Sequence, residues 1–396
     1  MQEIQLTSKQ MRSIIKVSKK QKGNGSMKFS WKRILAGTLV LASFGTQAFA
    51  QTNVRVYVNG MRVNENAFIH NDLTYIPLRA VSEALGANVS WDPATYSAHV
   101  AFSEDDAVAQ IVEDVSPSVV TIVGNYQSST LTGQYNKPTA HGTGVIYRAN
   151  GHIVTNAHVV KDITNLTVVL SNGELHPGSV LYRDETADLA IVKINKVGLK
   201  PITMAKKEDV ISGRTAIAIG TPISLSMRNS VTKGIVSGVG VALPDSHYKL
   251  IQTDATINPG NSGGPLVNIK GELIGINSSK YASVNIDNMG FAIPVDTVET
   301  VISQYEIYGR VLRPTLDFTL EQSWEASIGL PTTKGLTVKT SKNATLQVGD
   351  IITGLNGIDV HSLADWNEAV KDTYRGTPIT VDYTRNGVTY QTSVAQ

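Results

Sequence analysis

The sequence predicts a mainly β protein built from antiparallel barrels or sandwiches, with a few short helices. From Ser118 to about Val295 the chain is a series of short Val, Ile and Thr runs that Gly, Asn and Pro interrupt at close intervals. This pattern is typical of antiparallel β structure rather than of alternating βαβ units. The length of 396 residues suits two or three compact units. A content of 41% hydrophobic and 17% charged residues is that of a globular protein.

The net charge of +2 hides an asymmetry along the chain. Residues 1–33 hold nine Lys or Arg and one Glu, which leaves 26 basic and 32 acidic residues in the remainder. The body of the protein is therefore slightly acidic, and we expect no nucleic acid among its partners. The absence of cysteine excludes disulfides, thiolate catalysis and cysteine-based zinc sites. The sequence predicts neither a metal site nor a cofactor.

Residues 1–50 are interpreted as an export signal with an upstream extension. From Met27 a basic start is followed by the apolar run ILAGTLVLASF and by small residues at Ala48 and Ala50. This is the order of a secretory signal peptide over Met27–Ala50, and the apolar run is shorter than the ~20 residues of a membrane-spanning helix. An uncleaved signal that anchors the protein to the membrane is the alternative. Either way we expect an extracytoplasmic protein, secreted or associated with the cell envelope.

Residues 54–102 form the first predicted domain, of the α+β type. Val54, Val56 and Val58 alternate with polar residues before Asn59-Gly60, which predicts a strand entering a hairpin turn. A proline at position 77 and a glycine at position 86 flank an apolar helical period, so a short helix is expected between them, with the proline at its first position.

The segments VYVNG, YIPLRAVSEALGA and VSWD within residues 54–102 resemble the copper amine oxidase N-terminal-like domain, a stalk found on exported bacterial proteins. Despite that name we expect no copper, because His70 and His99 are the only imidazoles available there. A spacer, or a contact with the cell wall or the membrane surface, is the predicted role of this domain.

Two further domains are predicted, over residues 107–305 and 311–396. The run Ser103–Asp106 reads as a linker that caps a helix over Ala107–Asp114. Apolar residues at a helical period follow Pro294. The final ninety or so residues return to strands with one helix between them, namely Leu336–Thr340, Asp350–Leu355, a helix over Leu363–Lys371 capped by Ser362, and a strand pair around Asn386-Gly387.

Three segments carry the residue types of nucleophilic catalysis. His158 stands in TNAHVV, Asp188 in TADLAIV and Ser262 in the glycine-rich GNSGGP. His, Asp, Ser is the chain order of chymotrypsin-type enzymes, whereas subtilisins and α/β-hydrolases use other orders. Each residue alone has an ordinary structural interpretation, but their joint occurrence in this order, each beside a β-type segment, predicts a catalytic triad.

The chemistry explains why these residue types are needed together. A serine hydroxyl is a weak nucleophile and requires an adjacent base, and an imidazole can take that proton and return it to the leaving amine. Asp188 lies in an apolar segment, where a buried carboxylate must be paired, and a bond to the His158 ring would fix its tautomer. Glycines around Ser262 allow the N–H groups of Gly260 and Ser262 to converge on an oxyanion.

The strings HGTGVIYRANGHIVTNAHVV, TADLAIVKI and QTDATINPGNSGGPLVNIKGELIGINS resemble the protease domain of the HtrA, or Deg-type, family of trypsin-like serine proteases, over roughly residues 107–310. The resemblance implies two six-stranded antiparallel β-barrels of the chymotrypsin type, with the site at their junction. It implies cleavage of unfolded or damaged envelope proteins through an acyl-enzyme, and a homotrimer. It also implies an oxyanion hole of Gly260, Asn261 and Ser262, and a substrate-pairing strand of Ile276, Asn277 and Ser278.

The same family implies a C-terminal PDZ domain, which residues 311–396 fit in part. The segment DIITGLNG at 350–357 is similar to the PDZ core strand, and RPTLDF at 313–318 aligns with the carboxylate-binding loop. Asp317 stands where that loop usually has glycine, and its charge would oppose a peptide carboxylate. Capture of peptide tails and a packing role are therefore both left open. The polar segment 278–288 is predicted to be an activation loop.

The sequence is compatible with three functions. An active endopeptidase is favoured by the complete triad together with the export signal. A binding or holdase protein that retains protease architecture is the second, because fold and function are separable. The third is an envelope-anchored adhesin in which the stalk-like domain is primary.

Overall fold

The computed structural model describes residues 54–58, 60–70, 72–102, 104–126, 139–222, 224–244, 246–281 and 288–394. The chain divides into two compact units, residues 1–107 and 108–396. The predicted export signal, Met27–Ala50, lies outside the described residues. Within them, no helix combines the length and the apolar character needed to cross a membrane.

The first unit contains two small antiparallel sheets and one helix. The predicted hairpin is confirmed, since Val58 pairs with Met61 around a left-handed Gly60 with φ 80°. Pro77 lies one residue before the helix instead of at its first position. The elements are β1 (Val54–Val58), β2 (Met61–His70), β3 (Leu73–Tyr75), α1 (Leu78–Ala84), β4 (Ala87–Asp92) and β5 (Ser97–Phe102).

Helix α2 (Glu104–Val115) follows, and it starts earlier than expected. The interpretation of Ser103–Asp106 as a linker is wrong from Glu104 onward, because the helical backbone begins at that residue. Val108, Ile111 and Val112 of this helix pack against a buried apolar cluster of the second unit.

Two closed six-stranded barrels form most of the second unit. The first has the strand order β10-β11-β8-β7-β6-β9, and its interior is filled by fully buried side chains such as Ile122, Ile146 and Val192. Its elements are β6 (Val119–Tyr126), β7 (Thr139–Arg148), β8 (His152–Thr155), the one-turn helix α3 (Ala157–Val160), β9 (Ile163–Val169), β10 (Leu175–Asp184) and β11 (Leu189–Ile194).

The second barrel has the strand order β12-β13-β14-β17-β16-β15, and every pairing in it is antiparallel. Helix α4 leaves its last strand directly and ends at Gly309, which is left-handed with φ 70°. Its elements are β12 (Thr215–Gly220), β13 (Ser230–Val241), β14 (Leu250–Thr253), β15 (Pro265–Val267), β16 (Leu273–Asn277), β17 (Gly290–Pro294) and α4 (Val295–Tyr308). The mainly β fold with two six-stranded antiparallel barrels is confirmed.

Hydroxyl groups link the two barrels near their junction. The Thr121 and Thr221 hydroxyl oxygens lie 2.7 Å apart. The Thr143 hydroxyl donates to the Gly260 carbonyl at 2.7 Å and accepts the Thr221 N–H at 3.0 Å. The Thr143 N–H donates to the Ser262 carbonyl at 2.9 Å. The first barrel thus holds the glycine-rich loop of the second.

The C-terminal α+β domain is one antiparallel sheet with helix α6 against it. The predicted cap is present, since the Ser362 hydroxyl accepts the Asp365 N–H at 3.0 Å, and Asn386 and Gly387 form the expected left-handed turn. Helix α6 extends two residues beyond the predicted Lys371. The elements are β18 (Phe318–Glu321), α5 (Trp324–Ser327), β19 (Leu336–Ser341), β20 (Ile351–Leu355), β21 (Ile358–Asp359), α6 (Leu363–Thr373), β22 (Ile379–Arg385) and β23 (Val388–Val394).

Ion pairs join α6 to the second barrel and α4, at an interface we call the seam. The Lys371 ammonium, whose side chain is only 3% exposed, lies 2.6 Å from Glu368 Oε2 and 3.0 Å from Asp296 Oδ2. Burial alone would lower the pKa of Lys371, but these two carboxylates outweigh it and raise that pKa above its usual value. Lys249 and Asp365 add a second pair at 2.6 Å. The buried ammonium is therefore fully paired, as a stable buried charge must be.

Candidate active site

The structure brings His158 and Asp188 together. The His158 ring Nδ1 lies 2.8 Å from Asp188 Oδ2 and 3.0 Å from Oδ1. A carboxylate only accepts hydrogen bonds, so Nδ1 carries the proton and Nε2 is left as the basic nitrogen. Asp188 is 2% exposed, whereas a third of the His158 side chain is open to solvent. This pair has the arrangement of a general base held by a buried acid.

Several further bonds fix Asp188. The His158 N–H donates to Oδ1 at 3.1 Å, and the Ser278 hydroxyl donates to Oδ2 at 3.2 Å. The Asp188 carbonyl accepts from the Ala157 N–H and from the Asn156 amide, at 3.1 and 3.0 Å. Asp188 has the left-handed φ of 52°, which is uncommon for a residue other than glycine. Its surroundings stabilise this conformation.

The turn before Asp188 depends on a second aspartate that the sequence reasoning missed. Asp184 Oδ1 accepts the N–H groups of Thr186 and Ala187 at 3.0 and 3.1 Å. Arg313, at the start of the C-terminal domain, places Nη2 at 2.9 and 2.8 Å from the two Asp184 oxygens. The residue that anchors the Asp188 turn is thus held by the C-terminal domain. The sequence does not indicate this contact, because positions 184 and 313 are far apart along the chain.

Ser262 lies on a loop in which two glycine positions leave no room for a Cβ atom. Gly260 has φ 101°, and a Cβ there would approach the Thr221 carbonyl oxygen to 2.2 Å. Gly263 has φ 83°, and its Cβ would lie 2.1 Å from the Thr143 carbonyl oxygen. Among the described residues, neither the Gly260 nor the Ser262 N–H donates to a protein acceptor. The Asn261 N–H is occupied, because it donates to the Asn258 carbonyl at 3.0 Å.

The Ser262 hydroxyl is bound to Ser279 instead of His158. Its oxygen lies 2.7 Å from the Ser279 hydroxyl oxygen and accepts the Ser279 N–H at 2.9 Å. Within the described part of the chain, no hydrogen bond joins Ser262 to His158. The imidazole of His158 and the carboxylate of Asp188 are therefore paired, while the Ser262 hydroxyl is bonded to a neighbouring residue. Ser279 was not singled out from the sequence, which carries no signal for this contact beyond its position next to Ser278.

The predicted substrate-pairing residues divide into two groups. Ile276 and Asn277 lie inside the second barrel, where β16 pairs with β15 on one side and with β17 on the other. Asn277 also accepts the Gly263 N–H at 2.9 Å. Ser278 lies just past the strand end and touches Asp188, so it is the member nearest the site. Of the predicted activation loop, residues 282–287 lie outside the described residues.

Buried polar atoms without a partner gather around the Ser262 loop. In the described residues they include His141 Nε2, Asn156 Oδ1, Asn261 Oδ1 and Asn277 Oδ1. His141 Nε2 faces the loop directly, since it lies 3.1 Å from the position of a Cβ on Gly260. Unsatisfied buried polar atoms are rare in native proteins and require an explanation.

The seam holds the one group of described carboxylates close enough together to bind a metal ion, Asp296, Glu368 and Asp372. The Lys371 ammonium lies within 4 Å of all three, and the Lys207 ammonium is 2.8 Å from Asp296. Two cations already offset two of the three negative charges of this cluster, so its chemistry is that of an ion-pair network and not of a metal centre.

Three family profiles match separate parts of the chain. The profile of the trypsin-like peptidase domain matches residues 142–276, that of the copper amine oxidase N-terminal domain matches residues 57–128, and that of the PDZ domain matches residues 332–395.

Similar proteins are serine proteases. Serine protease Do-like HtrB of Bacillus subtilis is 34% identical over 320 residues, covering 71% of this chain and 69% of the relative. A probable periplasmic serine endoprotease, DegP-like, of Pseudomonas fluorescens is 35% identical over 257 residues, covering 62% of this chain and 54% of the relative. The solved structure of the HtrA-type protease AlgW with a decapeptide is 27% identical, with a TM-score of 0.61 over 73% of this chain and 97% of that one.

Proposed function

The chain belongs to the HtrA family of serine proteases and is a serine endopeptidase, and from that premise we propose that His158, Asp188 and Ser262 are its catalytic triad. The observation that carries the proposal is the His158–Asp188 pair, with Nδ1 2.8 Å from the carboxylate. A buried acid, an oriented imidazole and a serine on a glycine-rich loop at one barrel junction are what acyl transfer requires.

The proposed reaction follows from the protons these groups hold. Once its hydroxyl faces His158, Ser262 attacks the scissile carbonyl carbon while Nε2 takes its proton. The N–H groups of Gly260 and Ser262 bind the resulting oxyanion, with Asn261 as the residue that spaces them. Imidazolium then protonates the leaving amine, and water releases the acyl group from Ser262 by the same route. Asp188 stays ionised throughout and stabilises the charged ring.

Peptide or protein substrates follow from the enzyme class, and their nature is part of the proposal. We propose unfolded or damaged envelope proteins as substrates, entering as an added strand beside the end of β16, at Ser278. The predicted export signal Met27–Ala50 and the periplasmic location named for the Pseudomonas relative support an extracytoplasmic location. We also propose that the protein forms a homotrimer and that the 54–102 domain contacts the cell wall or the membrane surface. The proposed domains are residues 54–102, 107–305 and 311–396.

Hydrolysis of β-casein by the purified protein and by its Ser262→Ala variant tests the triad. We expect casein cleavage to fall to background in the variant, because the nucleophile is gone, while the far-UV circular dichroism spectrum is unchanged. Ser303→Ala, on the exposed face of α4, is the matched control and should cleave at the wild-type rate. Equal cleavage by Ser262→Ala and wild type would overturn the proposal.

A further inference from the structure

The contact between Ser262 and Ser279 has a chemical consequence that does not depend on where its proton lies. A serine hydroxyl has one proton to donate and two lone pairs to accept with. The Ser279 N–H already occupies one lone pair of the Ser262 oxygen, at 2.9 Å. The second contact, between the two hydroxyl oxygens at 2.7 Å, can have either oxygen as donor.

Both arrangements block catalysis. If Ser262 donates, its only proton points to Ser279 and is not available to the His158 ring. If Ser279 donates, both lone pairs of the Ser262 oxygen are occupied, and none is free to attack a carbonyl carbon. The nucleophile is therefore idle in either case, although its base is already oriented by Asp188.

From this geometry we infer that Ser279 is a positioning residue of the reaction, which holds the Ser262 hydroxyl away from His158 until substrate displaces it. The inference rests on the proposed triad. The preceding residue, Ser278, donates to Asp188 Oδ2 at 3.2 Å, so two consecutive serines contact the acid and the nucleophile. A substrate strand that pairs at Ser278 must move Ser279, and this movement frees Ser262.

The surroundings support a loop built to change partners. Both oxyanion donors lack an acceptor among the described residues. The atoms His141 Nε2 and Asn261 Oδ1 are buried beside the loop without a hydrogen bond. Buried polar atoms without a hydrogen bond destabilise the resting arrangement. A rearranged loop that pairs them would therefore offset part of the free energy needed to displace Ser279.

The rate of labelling by a fluorophosphonate tests the inference, because this probe needs a free Ser262 hydroxyl but no bound peptide. The variants are Ser279→Ala, Ser279→Val and Ser279→Thr; the last two have the same shape, and only the threonine variant keeps a hydroxyl. We expect labelling to rise about two- to tenfold in the alanine and valine variants, the worth of one neutral hydrogen bond. The threonine variant should stay at the wild-type rate.

Steady-state hydrolysis of a peptide substrate gives an independent readout. Breaking the contact between Ser279 and Ser262 costs free energy during substrate binding. Ser279→Ala removes that cost, so it should lower KM by a similar factor and leave kcat unchanged. Ser278→Ala should instead slow labelling and lower kcat, because it removes a donor from Asp188.

The outcomes separate this inference from the proposed function. Labelling of Ser262 in the wild type, with Ser279→Ala and Ser279→Val labelled no faster, overturns the role of Ser279 and leaves the triad intact. A fall in the kcat of Ser279→Ala and Ser279→Val also overturns the role of Ser279, since this residue would then assist the reaction. Absence of Ser262-dependent labelling in every variant overturns the triad itself, and the inference with it.

Discussion

The proposed catalytic centre around Ser262 and the buried ammonium of the seam differ in how completely their polar groups are hydrogen-bonded. At the seam the Lys371 ammonium contacts Glu368, Asp296 and the Thr297 hydroxyl, all within 3.0 Å. At the centre the Ser262 hydroxyl is held by Ser279, and buried atoms of His141 and Asn261 lack partners. Both regions lie in the same compact unit, residues 108–396. The buried ammonium of the seam has all its partners, whereas buried polar atoms around Ser262 do not.

This contrast indicates how stability and function are divided. Fully paired buried charges fix one geometry, because moving either partner exposes an uncompensated charge. Unsatisfied polar groups do the reverse, since they lower the cost of leaving the resting arrangement. We therefore expect the seam to keep the C-terminal domain in place and the centre to reorganise when substrate binds. If this division holds, substitutions at the two regions should act on different measurements.

The largest effect is expected at the centre, from Asp188→Asn. The amide keeps the shape but cannot enforce the Nδ1–H tautomer of His158, so kcat should fall by about 10⁴-fold. The midpoint of urea unfolding should change little, because the substitution is isosteric. Asp162→Asn, at an exposed carboxylate close to His158 in the chain, is the control and should keep the wild-type kcat. A kcat within tenfold of wild type would count against the triad.

At the seam, Lys371→Met should act on stability instead. It leaves the half-buried Glu368 without its cation and Asp296 with Lys207 alone, and the loss of one partner of a buried pair costs up to about 3–5 kcal/mol. Urea unfolding measures the loss, and fluorophosphonate labelling at Ser262 should continue under native conditions. Lys339→Met is the matched control, since Lys339 makes a surface pair with Glu321 at 3.3 Å, worth about 1 kcal/mol or less. Equal unfolding midpoints for the two variants would contradict the proposed division.

The smallest effect is the pH dependence of the seam. Burial alone would raise the pKa of Asp296, but Lys371 and Lys207 outweigh it and hold the pKa below its ordinary 3.8. A lowered carboxylate pKa contributes stability that is present above the ordinary value and is lost as pH falls through the folded value. The raised pKa of Lys371 contributes stability present below the ordinary 10.5 and lost as pH rises through the folded value.

We therefore expect the seam to be insensitive to pH between about 4 and 10 and to weaken outside that range. Limited proteolysis that releases the C-terminal domain would measure this. The effect is smaller than that of Lys371→Met, because protonation of Asp296 leaves Lys371 paired with Glu368. The Lys371→Met variant should lose part of the acid-side dependence and keep the part that Lys207 contributes. A seam that weakens steadily between pH 5 and 8 would show that other groups control it.

The sequence predicted the elements whose signals are local. The turn at Asn386-Gly387, the Ser362 cap and helix α4 after Pro294 follow from residues close together in the chain. The barrels required more, because alternating Val and Ile runs fit sandwiches equally well, and the resemblance to a known family decided between them. The order of His158, Asp188 and Ser262 indicated the chemistry of the site without its geometry.

Contacts between distant segments could not be predicted in this way. Arg313 reaches Asp184, and Ser279 reaches Ser262, only because the fold brings separate loops together. Nothing in the polar composition of 278–288 distinguishes a residue that holds the nucleophile from one that faces solvent. Likewise, Lys371 reads as an ordinary helix-surface lysine until α4 supplies Asp296 as its partner.

The placement of His158 and Asp188 on one closed barrel and Ser262 on the other makes the enzyme divisible. A chain break after the short turn Lys207–Asp209, between β11 and β12, would leave each half with its six barrel strands but an incomplete set of reacting groups, and would expose the apolar cluster that the two barrels share. Turnover would then return only when the halves reunite across the Thr121–Thr221 junction. The molecule could thus serve as a split reporter, silent in pieces and active on reassembly.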